Sequence, residues 1–366
     1  MSLTVERAEF EDGTVDKDSR DLRQWKRLYS GYWVLRPSCF ACPFHQLRRP
    51  GDVSIGDFLG LDSSSAMADG RGTSLVLESK SQGELALAIS SGMDVETHTV
   101  AEATNDSQPM LSTSKKPAFE RDKFFDRFEG EGFAAAIKVV DTEAVKRKAL
   151  KVVGRNRSKT SNDADATLNA SVVLSDGSTL KNRLVQRKGD CCGCSACMAA
   201  CPVDAISMVQ DVEGFKYPSV DLERCVNCGR CERACGYKHA LADPDAVGPT
   251  DQPATFAAKH KDDAVRARSS SGGAFWALAE HVIDEGGVVY GCAFDEHLVA
   301  HHVRCETLEE CKQCQGSKYS QSDMQDCFVR VQADLQAGRT VLFTGTPCQV
   351  YGLKSYLKVA GGAVAI

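Results

Sequence analysis

The clearest alternation of apolar and polar positions lies in the last third of the chain. In "GGAFWALAEHVIDEGG", Phe275, Leu278, Ala279, Val282 and Ile283 recur at helical spacing, and Gly286 and Gly287 end the run. "VVYGCAF" is an unbroken apolar run of strand length, "DMQDCFVRVQADLQAG" returns to the helical period, and "RTVLF" predicts a second strand running into a tight "TGTPCQ" turn. Strands alternating with helices predict parallel pairing. Further upstream, "GTSLVLESKSQGELALAISSG" predicts a strand over Ser74–Glu78, a turn, and a short helix capped by Gly92. "KPAFERDKFFDRFEGEGFAAAIKVV" predicts a charged helical stretch with Phe124, Phe125, Phe128 and Phe133 as core contacts. The first 30 or so residues form a polar, helix-forming lead-in, and Cys191 to Cys235 is a compact cysteine-rich block.

Composition narrows the function. With 366 residues the chain has room for two or three domains. A net charge of −6 without a long basic block argues against nucleic acid as a partner. The opening "MSLTVERAEFEDGTVDKDSR" is not an apolar targeting segment, and the longest apolar tail, "VAGGAVAI", is too short to span a bilayer. The expectation is a cytoplasmic protein with no transmembrane segment. In a reducing compartment its 17 cysteines are metal ligands or small buried hydrophobes rather than disulfides.

Two cysteine runs carry one template. Cys191, Cys194, Cys197 and Cys201 form C-x2-C-x2-C-x3-C, followed by Pro202, and Cys225, Cys228, Cys231 and Cys235 repeat it 34 residues later. This is the bacterial ferredoxin spacing, in which three close cysteines hold one cubane and the fourth crosses to the other. The expected ligand sets are Cys191, Cys194, Cys197 and Cys235 for one [4Fe–4S] cluster, and Cys225, Cys228, Cys231 and Cys201 for the second. "AISMVQDVEGFKYPSVD" between the runs is the expected hairpin. Zinc, which takes ligands in two pairs, fits a doubled four-cysteine run poorly. Cys192 adjoins the first ligand, and Gly236 stands where a proline usually follows the last cysteine. Two such clusters are an electron relay and need something at each end.

Three loops downstream suit a cofactor. Arg268, Ser269, Ser270, Ser271, Gly272 and Gly273 place hydroxyls and amides at a helix N-terminus, as an anionic phosphate requires. "GSKYSQS" brings Ser317, Lys318 and Tyr319, while Gly345, Thr346 and Pro347 end a strand where open α/β sheets bind cofactors. Cys305, Cys311, Cys314 and Cys327 would make a zinc site by count, though at irregular spacing. His301 and His302 are expected to be a surface pair, and Asp52 and Asp57 to flank a tight turn.

With the dicluster run before them, "RSSSGGAFWALAEHVIDEGGVVYGCAFDE", "GSKYSQSD" and "VLFTGTPCQVYGLKSYL" resemble the coenzyme F420 hydrogenase/dehydrogenase beta-subunit family, over about 189–357. The resemblance implies FAD, and exchange of electrons between iron–sulfur centres and a two-electron partner. The opening stretches "RPSCFACPFHQLRRPGDVSIGDFLG", "GTSLVLESKSQGELALA" and "KKPAFERDKFFDRF" look like that family's C-terminal half, here placed first. The implied organisation is 1–150 as the C-terminal half, 151–185 (rich in Ser, Asn and Asp) as a linker, 186–245 as a 2[4Fe–4S] ferredoxin domain, and 255–366 as a truncated N-terminal α/β part. The fold expected is mixed α+β and α/β, a bacterial-type ferredoxin module joined to α/β flavoprotein-like portions. By the same resemblance Cys39, Cys42 and Cys348 would help hold a further [4Fe–4S] cluster near the flavin, and the turn at Asp52 and Asp57 would approach it. Two readings follow. One is an iron–sulfur flavoprotein oxidoreductase, as a homo-oligomer or a subunit of a complex, working with a redox partner protein or an F420-like carrier. The other is a ferredoxin-like electron carrier whose α/β portion only docks a partner. Neither singles out a catalytic side chain.

Overall fold

The computed structural model describes residues 8–9, 15–16, 19–79, 92–105, 108, 111–118, 120–152 and 161–361. The helix expected after residue 79 falls outside them. The chain divides into two units. The first comprises residues 1–42, 114–193 and 207–220, the second 43–113, 194–206 and 221–366.

In the first unit, helices Arg20–Ser30, Arg121–Glu131 and Phe133–Val152 close over Leu28, Trp33, Phe124, Phe125, Ile137 and Val140. Phe124 and Phe125 are buried as expected, whereas Phe128 and Phe133 are about two-fifths exposed. The helix breaks at Gly132, whose φ of 80° no continuing α-helix holds, so the next helix begins on a new axis and turns Phe133 outward. Residues 161–185, expected as linker, carry helix Ser161–Asn169 and a small antiparallel pair, Val172–Val173 with Thr179–Leu180. The hairpin between the cysteine runs is present as Ile206–Gln210 and Lys216–Val220. Beside it Glu213 accepts from Arg121 Nη2 at 2.7 Å and pairs with Lys188, the Arg121 and Glu213 side chains being 1% and 4% exposed. Burial alone would raise the Glu213 carboxyl, but Arg121 and Lys188 hold it below its ordinary value.

The second unit is built on two sheets. Strands β1 (Val53–Asp57), β2 (Ser74–Glu78), β3 (Met93–His98) and β4 (Ala254–His260) form an antiparallel sheet in the order β1-β2-β4-β3. β4 enters between strands nearly 160 residues earlier, with Phe256 opposite both Val76 and Thr97. Period-two alternation covers both faces. Leu75, Leu77 and Ala257 face Phe58, Met67 and Leu111, while Val76 and Ala258 face helix α1 (Ala274–Asp284) through Ala274, Ala277 and Leu278. The opposite side of α1, Trp276, Ala279 and Val282, packs on Val289 of the second sheet.

That sheet comprises β5 (Val288–Phe294), β6 (Ala300–Cys305) and, after helix α2 (Cys327–Gln336), β7 (Val341–Phe343), in the order β6-β5-β7. The expected parallel pairing holds only for β5 with β7, because β6 folds back on β5 as an antiparallel hairpin that the periodicity did not reveal. The fold is thus mixed, as expected. Helix α3 (Pro347–Ala360) follows β7.

Candidate electron-transfer site and adjoining cleft

Each cysteine run folds into the same backbone. The second residue after the first cysteine is left-handed in both (Gly193 at 75°, Asn227 at 53°), and so is the fourth (Ser195 at 62°, Gly229 at 71°). Each loop then enters a one-turn helix, Ala196–Ala199 or Arg230–Arg233. The fourth cysteine closes each turn, Cys201 N donating to Met198 O and Cys235 N to Glu232 O, both at 3.1 Å. The left-handed residues turn amides inward: Gly193 N donates to Cys191 Sγ at 3.3 Å, and Ala205 N to Cys201 Sγ at 3.2 Å. Such N–H···S bonds stabilise the more negative, reduced state of a cluster. The donor set and the repeated loop fit cubanes. Among the described residues no three His, Cys, Asp or Glu side chains converge as ligands of a single metal ion.

Helix α3 opens on the last of the three downstream motifs. Thr346 and Gln349 form a capping box, so "TPCQ" is a helix start as well as a turn. Gln349 Nε2, fully buried, donates to Ser322 Oγ at 2.8 Å, tying "GTPCQ" to "GSKYSQS". Ser317 N donates to Ser270 Oγ at 2.6 Å, tying that loop in turn to "RSSSGG". The three motifs are therefore one hydrogen-bonded group.

The hydroxyls expected to meet a phosphate are already engaged. Ser269 donates to Val265 O at 2.8 Å, Ser270 accepts from Ser317 N, and Ser271 donates to Thr73 O at 2.9 Å. A Cβ on Gly272 would lie 2.1 Å from Ala258 O, so this glycine lets the loop pack on β4. Lys318 donates to Gln313 O and Gln315 O at 2.7 and 2.8 Å, and burial lowers its ammonium.

A cleft of about 640 Å³ opens between the edge strands β1 and β7. Leu75, Leu77, Leu278, Leu342 and Leu353 line it with apolar surface, and Arg49, Asp52, Asp57, Gln108, His281 and Lys354 supply polar groups. Of the expected cofactor residues, Gly345 and Pro347 line this cleft, whereas Arg268–Gly273 and Ser317–Tyr319 do not. Asp52 precedes strand β1 and Asp57 ends it, so they bound a strand rather than a tight turn, and both line the cleft. Burial raises the Asp57 carboxyl, partly offset by the Ser271 hydroxyl, which links cleft and motif group. Lys354 Nζ stands 3.5 Å from Asp52 Oδ1. Arg49, Gln108, His281 and Lys354 were not singled out from sequence, since each stands alone in it.

The remaining expectations divide. The Cys305 thiol accepts hydrogen bonds from Cys311 and Cys314, which lower it, but Cys327 lies apart in the first turn of α2. His302 is partly buried: its Nε2 stands 2.8 Å from Thr344 O, its ring stacks on Phe343, and burial lowers its imidazolium. Cys39 lies in the 3₁₀ turn Pro37–Ala41 and Cys42 caps it, both in the first unit, while Cys348 lies in the second, 3.2 Å from Thr346 Oγ1.

Residues 190–238 match the 4Fe-4S dicluster domain. Residues 255–328 match the coenzyme F420 hydrogenase/dehydrogenase beta subunit, N-terminal domain. The resemblance drawn from the motifs is thereby shown at both places. Over 56 residues the chain is 39% identical to a subunit of the Na(+)-translocating ferredoxin:NAD(+) oxidoreductase complex of Acetobacterium woodii. That match spans 15% of this chain and 16% of the relative's length. Together the matches support an iron–sulfur electron-transfer role. No helix among the described residues is long and apolar enough to cross a membrane.

Proposed function

We propose that the chain is an iron–sulfur oxidoreductase subunit that passes electrons between two [4Fe–4S] clusters and a planar two-electron carrier, a flavin or an F420-like deazaflavin, seated in the β1–β7 cleft. The observation that carries this reading is the position of helix α3. Its Pro347, Val350, Leu353 and Lys354 line the cleft. Its Gly352 packs against Cys194, where a Cβ would lie 2.8 Å from Sγ, and its Tyr351 and Ser355 crowd Gly236 beside Cys235. One helix thus has a cluster loop on one side and the cleft on the other.

The clusters, when bound, would pass single electrons, and a flavin, which takes them singly or in pairs, would join that relay to a two-electron partner such as a deazaflavin. The eight ferredoxin cysteines hold the clusters in the sets their spacing implies. The cleft is apolar with polar groups at its margins and of small-molecule size, as a heterocyclic ring needs. Residues of the edge strands β1 and β7 would hold such a ring, and Lys354, paired with Asp52 at 3.5 Å, would place a cation beside it. Asp57, whose carboxyl burial raises, would lie beside a ring held in the cleft. Arg268, exposed beside the motif group and outside the cleft's lining, would meet a phosphate only where the carrier extends beyond the cleft. Like the protein it partly matches, the chain is expected to work with other redox proteins.

Anaerobic reconstitution with iron, sulfide and FAD tests this. Bound flavin and about eight irons per chain support the reading. Irons without flavin or deazaflavin binding would leave the electron-carrier reading, with the α/β portion a docking surface.

A further inference from the structure

Arg36 is an unusual residue to find buried, at 4% exposure. It precedes Pro37, which holds it extended (φ −58°, ψ 139°) at the entry to the Pro37–Ala41 turn. From there its side chain runs inward. The guanidinium carbon lies 4.2 Å from the centre of the Tyr217 ring and 5.5 Å from that of Phe215. Nε donates to Cys191 O and Nη2 to Lys216 O, each at 2.8 Å. A buried cation is thus hydrogen-bonded to the backbone of the first cluster ligand.

The hydrogen bonds brace the segment before the Cys191 loop against the Lys216–Val220 strand, and a neutral side chain of similar shape would do part of that. The charge does something else. A [4Fe–4S] cluster gains one negative charge on reduction, and a fixed cation nearby at low dielectric favours that state. Asp211, buried in the same region and within the field of Arg36, acts in the opposite sense.

We propose that Arg36 is a positioning residue for electron transfer, raising the reduction potential of the cluster held by Cys191 relative to that of its neighbour and so setting the direction of flow along the relay. This rests on the proposed function, in that it requires the two cubanes.

The test is a potentiometric titration of the full chain, reconstituted anaerobically and followed by electron paramagnetic resonance, with iron counted in parallel. Arg36→Gln is expected to weaken reduction of the Cys191 cluster about tenfold, a fall of ~59 mV for a one-electron couple, with the other cluster unmoved. Arg36→Lys keeps the charge and is expected to stay near the native potential. Two intact cubanes with unchanged potentials in Arg36→Gln would overturn the proposal while leaving the relay standing. An equal fall in Arg36→Lys would overturn it in favour of a brace. Absence of any cubane in the unsubstituted chain would instead remove the electron-transfer reading itself. Should Arg36→Gln fail to hold its clusters, Asp211→Asn probes the same field: the Cys191 cluster is expected to become easier to reduce, and no change would count against the proposal.

Discussion

Gly352 on α3 lies against Cys194 so closely that a Cβ added to the glycine would sit 2.8 Å from the thiol sulfur. Real Cβ atoms do not approach that near, so the helix can reach the cluster loop only with glycine at this position. Gly236 meets the same helix, its Cβ position 2.7 Å from Ser355 Oγ and 2.8 Å from Tyr351 O. That accounts for glycine where ferredoxin runs usually carry proline: the approach of α3 leaves no room for a ring.

Gly352→Val is expected to push α3 off the loop, destabilising the chain by about 1–3 kcal/mol through overpacking. Iron retention after anaerobic gel filtration should fall with it. Full iron content and unchanged denaturation would show that the contact is not needed.

The Arg121–Glu213–Lys188 group predicts an acid limit. The folded Glu213 carboxyl lies below its ordinary value of 4.5, so its contribution is whole above that pH and is lost as pH falls further, through the folded value. Glu213→Gln leaves two buried cations facing a neutral amide and is expected to cost about 3–5 kcal/mol at neutral pH. Urea denaturation at pH 7 and at pH 4 checks both, the difference between native and variant narrowing at the lower pH.

Gly56 lines the cleft, and a Cβ there would meet nothing within 4 Å. Gly56→Phe is therefore expected to fold normally, keep both clusters and lose flavin binding at least tenfold, because the new ring occupies ligand space rather than protein core. Fluorescence titration with FAD reads the effect. Native affinity in this variant would place the carrier elsewhere.

Local chemistry was legible wherever it is contiguous. The spacing of Cys191 to Cys201 and of Cys225 to Cys235 defines the relay because a cubane loop is built from neighbouring residues, and the intervening hairpin and the apolar runs of β2, β5 and β7 follow from period alone. Phe133 turned out two-fifths exposed because the break at Gly132, not helical period, sets the axis of its helix. The antiparallel return of β6 and the insertion of β4 between β2 and β3 were hidden, since pairing depends on which strand edges meet in space. So was the cleft. Its walls come from segments nearly 300 residues apart, and an isolated Lys354 or Gln108 carries no pattern until the sheets bring it to the same opening. The sequence by itself determined which residues can hold iron and sulfur, because thiolate ligation is a matter of residue type and short spacing. Only the tertiary structure decided that one helix touches both a cluster loop and the cleft, and that Arg36 is buried at Cys191, because burial and approach are set by packing between distant segments.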